Sequence, residues 1–127
     1  MTINGATERA FVELDESAAS HAAACLFRGM GDPSRMAILR HLLLGQHNVT
    51  ELTEHLGLAQ STVSKHLACL KDCGLVGSRP VGRASMFELT HPGAVLKVFA
   101  AAEELLAATG DAVVLCPTYG TTTKDAT

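Results

Sequence analysis

The chain has 127 residues, 47% hydrophobic and 18% charged, a composition that fits one globular domain and excludes an intrinsically disordered chain. Ten basic against thirteen acidic residues give a formal net charge of −3, which excludes a uniformly basic nucleic-acid binder and leaves only a local patch for such a partner. Aromatic residues are 4% with no Trp, so closely packed Ala, Leu and Val helices are expected, with a core thin enough to gain from dimerisation.

Residues 1–13 are polar and read as a loose N-terminal segment. From Leu14 to Met30, Ala19, Ala22, Ala23, Leu26, Phe27 and Met30 recur at helical spacing and predict a first helix. Asp32 is a good N-cap and Pro33 fits the first helical position, so a second helix is expected through Met36, Leu39, Leu42 and Leu43 to Gly45. Gln46-His47-Asn48 reads as a loop. A short helix through Leu52 and Leu56 closes at Gly57, and another runs from Gln60, with Val63, Leu67 and Leu70 inward, to Gly74. Two short helices around a Gly-containing turn make a helix-turn-helix candidate. The runs Leu75–Ser78 and Ser85–Leu89, separated by Arg79-Pro80-Val81-Gly82-Arg83, predict a β-hairpin. After a break at His91-Pro92-Gly93, a last helix is expected over Ala94–Ala108, ended by Gly110.

The expected fold is therefore mainly α with a small β-hairpin: a homodimeric winged helix-turn-helix over residues 14–110, followed by a tail over 111–127. In such a fold the second short helix enters the major groove and the hairpin touches the backbone beside it. Charge agrees with that placement. Between Ala59 and Arg83 the basic Lys65, Lys71, Arg79 and Arg83 face only Asp72, whereas the first thirty residues are net acidic. The candidate DNA contacts are Gln60, Ser61, Thr62, Ser64, Lys65 and His66 on the helix and Arg79 and Arg83 on the hairpin. The competing reading of the helix residues is that they cap the helix or simply face solvent. His66 lies beside the buried stripe, where it would pack or cap.

The strings Gly31-Asp32-Pro33-Ser34-Arg35-Met36-Ala37-Ile38-Leu39, Leu52-Thr53-Glu54-His55-Leu56-Gly57, Gln60-Ser61-Thr62-Val63-Ser64-Lys65-His66-Leu67 and Leu70-Lys71-Asp72-Cys73-Gly74-Leu75-Val76 together resemble the ArsR/SmtB repressors. The resemblance spans roughly residues 20–108. It implies a cytoplasmic transcriptional repressor that binds double-stranded operator DNA as a homodimer.

Four cysteines remain: Cys25, Cys69, Cys73 and Cys116. Cys69 and Cys73 are four apart, which puts both thiols on one helix face, close enough to share an ion. In a reducing compartment such a pair reads as metal ligands or redox thiols, although a lone Cys is most often a small buried hydrophobe. Two thiolates do not complete a site. Cys116, in the tail before Pro117, is the natural third. Within the family this set resembles the CmtR-type cadmium and lead sensors. The resemblance implies Cys69 and Cys73 of one chain and Cys116 of the other protomer as ligands for Cd(II) or Pb(II), with Zn(II) also able to bind. The Cys-x-Cys box and the Asp/His pattern of related sensors have no counterpart near Val49–Leu52 or within Ala94–Ala108. Cys25 stays outside the main set, read first as packed at a dimer interface and second as an extra ligand. His21, His41, His47 and His55 read as surface residues, and His91 as a cap or loop residue.

Two alternatives stay open: a winged-helix repressor whose thiols sense oxidant or sulfide, and a metal-buffering protein without a DNA role. An enzyme is not expected, because no nucleophile–base pair, phosphate loop or carboxylate pair stands out. Neither a secretory signal nor a membrane span is expected. The N-terminus lacks a basic start followed by an apolar run, and Lys97, Glu103 and Glu104 break the longest apolar stretches.

Overall fold

A computed structural model describes residues 15–117; the predicted N-terminal segment 1–13 lies outside them. The element order is α1 (Glu16–Met30), α2 (Pro33–Leu42), β1 (His47–Asn48), α3 (Val49–Leu56), α4 (Gln60–Asp72), β2 (Val76–Val81), β3 (Ala84–Leu89) and α5 (Pro92–Ala108). The helix-turn-helix is α3–α4 and the wing is β2–β3, so the chain is a winged helix.

Local chemistry fixes the boundaries. The Asp15 carboxylate accepts from Ala18 N at 2.6 Å and starts α1. Asp32 accepts from Arg35 N at 3.0 Å and starts α2, with Pro33 where a missing N–H costs nothing. Asn48 and Glu51 form a reciprocal capping box at α3, with bonds of 2.8 and 2.9 Å. Gly57 ends α3 in the left-handed region at φ +69°, which a side chain would disfavour. The Gly82-Arg83 pair closes the wing, again with Gly at positive φ.

Three expectations change. Gln46-His47-Asn48 is not wholly a loop: His47 and Asn48 pair with Phe87 and Met86, making an antiparallel sheet of order β1-β3-β2. The wing strands run further toward the turn than the residue pattern implied. Pro80 is accommodated because β2 is an edge strand, where its lack of an N–H breaks no ladder bond. The last helix begins at Pro92, since Pro is accepted in a first turn.

The core is formed by Met30, Ile38, Leu39, Leu42, Leu52, Val63, Leu67, Leu70, Val76, Leu89, Val95 and Phe99. Branched aliphatics, one Met and one Phe fill it, and the expected Ala contribution is missing: Ala19, Ala22 and Ala23 are exposed. Val63, Leu67 and Leu70 recur on one stripe of α4 and seat that helix against the rest. Each such side chain contributes about 1.5–3 kcal/mol by leaving water. Much of α1 and α5 remains uncovered, with Phe27 60% and Leu105 67% exposed. No described helix is long and apolar enough to cross a membrane.

Candidate thiol site and nucleic-acid interface

The stripe that buries Val63, Leu67 and Leu70 turns the opposite face of α4 to solvent. Gln60, Ser61, Ser64 and Lys65 are exposed there, and Thr62 is half-buried. The capping alternative fails at the start of α4. Ala59 is the N-cap and no side chain bonds the first-turn N–H groups, so these donors face outward from the positive end of the helix dipole. This feature was not expected from the sequence; an Ala where Ser or Asp usually caps was the available signal. Arg79 and Arg83 are exposed on the wing, and Arg79 donates to the Gln46 side chain. Lys71 Nζ donates to Ser78 Oγ at 2.8 Å and ties the end of α4 to the wing.

His66 differs from its neighbours on α4. It is half-buried and turned inward. Its Nδ1 lies 3.3 Å from Arg35 Nη1, and its Nε2 lies 3.7 Å from Asp32 Oδ2. Arginine only donates, so Nδ1 is the acceptor and the proton of the neutral ring sits on Nε2, facing the carboxylate. Arg35 also donates from Nε to Gly29 O at 2.7 Å and from Nη2 to Arg28 O at 3.0 Å. One guanidinium therefore joins the end of α1, the start of α2 and the middle of α4. Asp32 is held below the usual carboxylate range, chiefly by the Arg35 N–H.

One turn beyond His66 is Cys69, and Cys73 follows as the C-cap of α4; both are half-buried. They meet the end of α1. The Cys73 thiol donates to Cys25 O at 3.9 Å, a long sulfur contact. Burial pushes the Cys73 thiol up, and neighbouring Cys69 and Cys25 push it further. Cys25 is exposed, with Arg28 Nη1 3.9 Å from its sulfur. Cys25 thus stands at the end of α1 that faces Cys73, with its own side chain exposed. Gly29 makes room for this arrangement. A Cβ there would stand 2.8 Å from Cys73 Sγ, closer than real Cβ atoms approach.

Cys116 is elsewhere in the same chain. The Glu103 carboxylate on α5 accepts from Leu115 N and Cys116 N at 2.6 and 2.7 Å. The Cys116 thiol points to Leu96 O at 3.9 Å, and Arg40 Nε donates to Leu115 O at 3.1 Å. Burial and the Glu103 charge push the Cys116 thiol up, while the two backbone donors hold Glu103 down. Among the described residues of one chain, no three His, Cys, Asp or Glu side chains stand ready to hold a metal ion. The chemistry of the donors nevertheless suits a thiophilic ion: two free thiols four residues apart at the end of α4, with no competing disulfide.

Residues 32–78 match the family described as "Bacterial regulatory protein, arsR family". The chain is 46% identical over 77 residues to the transcriptional regulator CmtR of Mycobacterium tuberculosis, covering 61% of this chain and 62% of CmtR. It is 39% identical over 66 residues to a probable mercury resistance operon repressor of Streptomyces lividans, covering 52% and 53% of the two chains. The match thus spans half to three fifths of these curated relatives. Among solved structures, reduced HlyU from Vibrio cholerae superposes with a TM-score of 0.59 at 32% identity, over 66% of this chain and 90% of that one. These relatives are transcriptional regulators rather than enzymes. With the winged helix and the matched α2–β2 segment both in place, the chain belongs to the arsR family of bacterial regulatory proteins.

Proposed function

We propose that the protein is a metal-responsive transcriptional repressor that binds operator DNA as a homodimer in the cytoplasm and is released when Cd(II) or Pb(II) binds cysteine thiolates. The observation that carries this reading is the position of Cys69 and Cys73. Cys69 lies on α4 and Cys73 caps its C-terminal end, on the helix whose opposite face offers Gln60, Ser61, Thr62, Ser64 and Lys65. An ion held there acts directly on the DNA-reading element. Arg79 and Arg83 contact the phosphate backbone from the wing, and the uncapped start of α4 takes a phosphate. His66 sets the position of α4 through Arg35 rather than touching DNA.

The ion's ligands are Cys69 and Cys73 of one protomer and the partner's Cys116. Within its own chain the Cys116 backbone is tied to Glu103; in this proposal that tie is exchanged for the partner's site when the ion binds. The dimer forms through the uncovered faces of α1 and α5, where Phe27, Val98, Ala101, Ala102 and Leu105 line an apolar groove. Both thiols with raised pKa are protonated at neutral pH, so metal uptake releases protons. Zn(II) binds the same donors less selectively. Moving DNA occupancy from nearly full to nearly empty requires the ion to favour the released state by about 5.5 kcal/mol.

Complementation tests the crossed site. A mixed dimer of one Cys69→Ser chain and one Cys116→Ser chain retains one intact site if the ligands cross, and none if they do not. Full three-thiolate cadmium absorbance at about half the unsubstituted protein's amplitude in the mixed dimer, and its loss in both single-variant homodimers, is the expected result. Absence of signal from the mixed dimer rejects the crossed assignment.

A further inference from the structure

A second cluster of donors lies away from the thiols. His41 on the last turn of α2, His47 on β1 and His55 on the last turn of α3 bring three imidazole rings together. Their centres are 5.3 Å apart for His41–His55, 5.3 Å for His47–His55 and 6.1 Å for His41–His47. These residues lie close in the sequence but on three different elements, and the residue pattern reads them as surface histidines; β1, which that pattern does not reveal, is what delivers His47 to the other two.

Two of the rings are already oriented. His41 Nδ1 lies 3.1 Å from Ala37 O, and His47 Nδ1 lies 2.8 Å from Gly45 O. A carbonyl only accepts, so each Nδ1 carries the proton and each Nε2 carries the free lone pair of a neutral ring. This is the arrangement found behind metal-bound histidines, where one ring nitrogen donates to a carbonyl and the other binds the ion. The spacing agrees. Three imidazoles bound at about 2.0–2.1 Å around one tetrahedral ion place their ring centres roughly 5 Å apart.

We propose that His41, His47 and His55 form a second ion site, for a divalent ion of borderline softness such as zinc. Among the described residues no three donors already stand at ion-holding distances. Closing the site keeps the Nδ1 bonds of His41 and His47 and turns the exposed His55 toward the other two. All-nitrogen donors favour zinc, nickel or copper, whereas the thiols favour softer ions. The two sites are thus chemically distinct, and neither proposal depends on the other. Ion binding here joins α2, β1 and α3, which fixes the first helix of the helix-turn-helix to the sheet and stabilises the folded chain.

The test uses the full chain with Cys25, Cys69, Cys73 and Cys116 all replaced by Ser, titrated with zinc alone against a chromophoric chelator. The expected result is one zinc per chain. Affinity falls by more than the roughly 10–100-fold that losing an outer partner costs when His41→Ala, His47→Ala and His55→Ala are combined, and it is unchanged when His21→Ala and His91→Ala are combined. No zinc uptake, or uptake indifferent to the three substitutions, overturns the proposal. If the serine chain does not fold, the unmodified chain saturated with cadmium replaces it and imidazole nitrogen resonances are read. Zinc must then shift those of His41, His47 and His55, and unmoved resonances overturn the proposal equally.

Discussion

Gly29 and Cys73 show how a single atom controls the thiol site. The missing Cβ at Gly29 leaves the space into which the Cys73 sulfur fits. Gly29→Ala is expected to displace that sulfur and weaken cadmium binding, with near-parental DNA affinity in the absence of metal. Cadmium–thiolate absorbance read against a competing chelator checks this, and unchanged cadmium affinity would contradict it. Asp32 gives a pH dependence whose sign follows from its lowered pKa. A carboxyl depressed in the folded state stabilises it above the unfolded value and loses that contribution as pH falls through the folded one. The melting temperature should therefore drop as pH falls below the ordinary value of 3.8, and Asp32→Asn should lack that component. Parallel curves for the two proteins would refute the assignment. Asp32 and Pro33 were legible in the sequence because a cap is a local signal. Arg35–His66 and Gly29–Cys73 were not, because each joins residues brought together only by the packing of α4 across the ends of α1 and α2.

The helices were legible because apolar spacing and end signals agree. Asn48 with Glu51, Gly57, and the Val63–Leu67–Leu70 stripe each point to the boundary or face that forms. β1 was not legible, since two residues carry no alternation and its pairing with β3 depends on residues about forty positions away. α4 is the element on which both proposed activities converge, so its seating can be perturbed independently of its chemistry. Leu67 is fully buried on the stripe. Leu67→Ala should cost about 2–5 kcal/mol through the lost contacts and the cavity left behind. Asn48→Ala, which breaks the capping box at α3, should cost about 1 kcal/mol. Urea unfolding of both variants checks the ranking, and an Asn48→Ala loss equal to the Leu67→Ala loss would contradict it.

At the scale of the whole molecule, the described residues leave an apolar face of α1 and α5 uncovered. The periodicity of α1 was read correctly as amphipathic, yet in one chain most of its apolar face meets nothing. Sequence pattern identifies a face to be covered without saying whether the cover lies in the same chain. Phe27 and Leu105 are expected to be that cover's anchors. Phe27→Asp should shift the protein toward monomer in sedimentation and weaken operator binding, because one protomer presents one recognition helix instead of two. A variant that stays dimeric would move the interface elsewhere. The net-acidic first thirty residues and the basic stretch from α4 through the wing fit the proposal at this scale, since they separate the proposed dimer face of α1 from the proposed DNA face.

The measurement that bears most directly on the central claim is fluorescence anisotropy of a labelled DNA fragment from upstream of the protein's own coding sequence. It is followed while cadmium is added to the preformed complex. The parent protein should dissociate as about one cadmium per site is bound, and Cys69→Ser, Cys73→Ser and Cys116→Ser should each bind DNA equally well but remain bound. Release of the DNA by cadmium in all three variants, or persistent binding by the parent at saturating cadmium, would contradict the account.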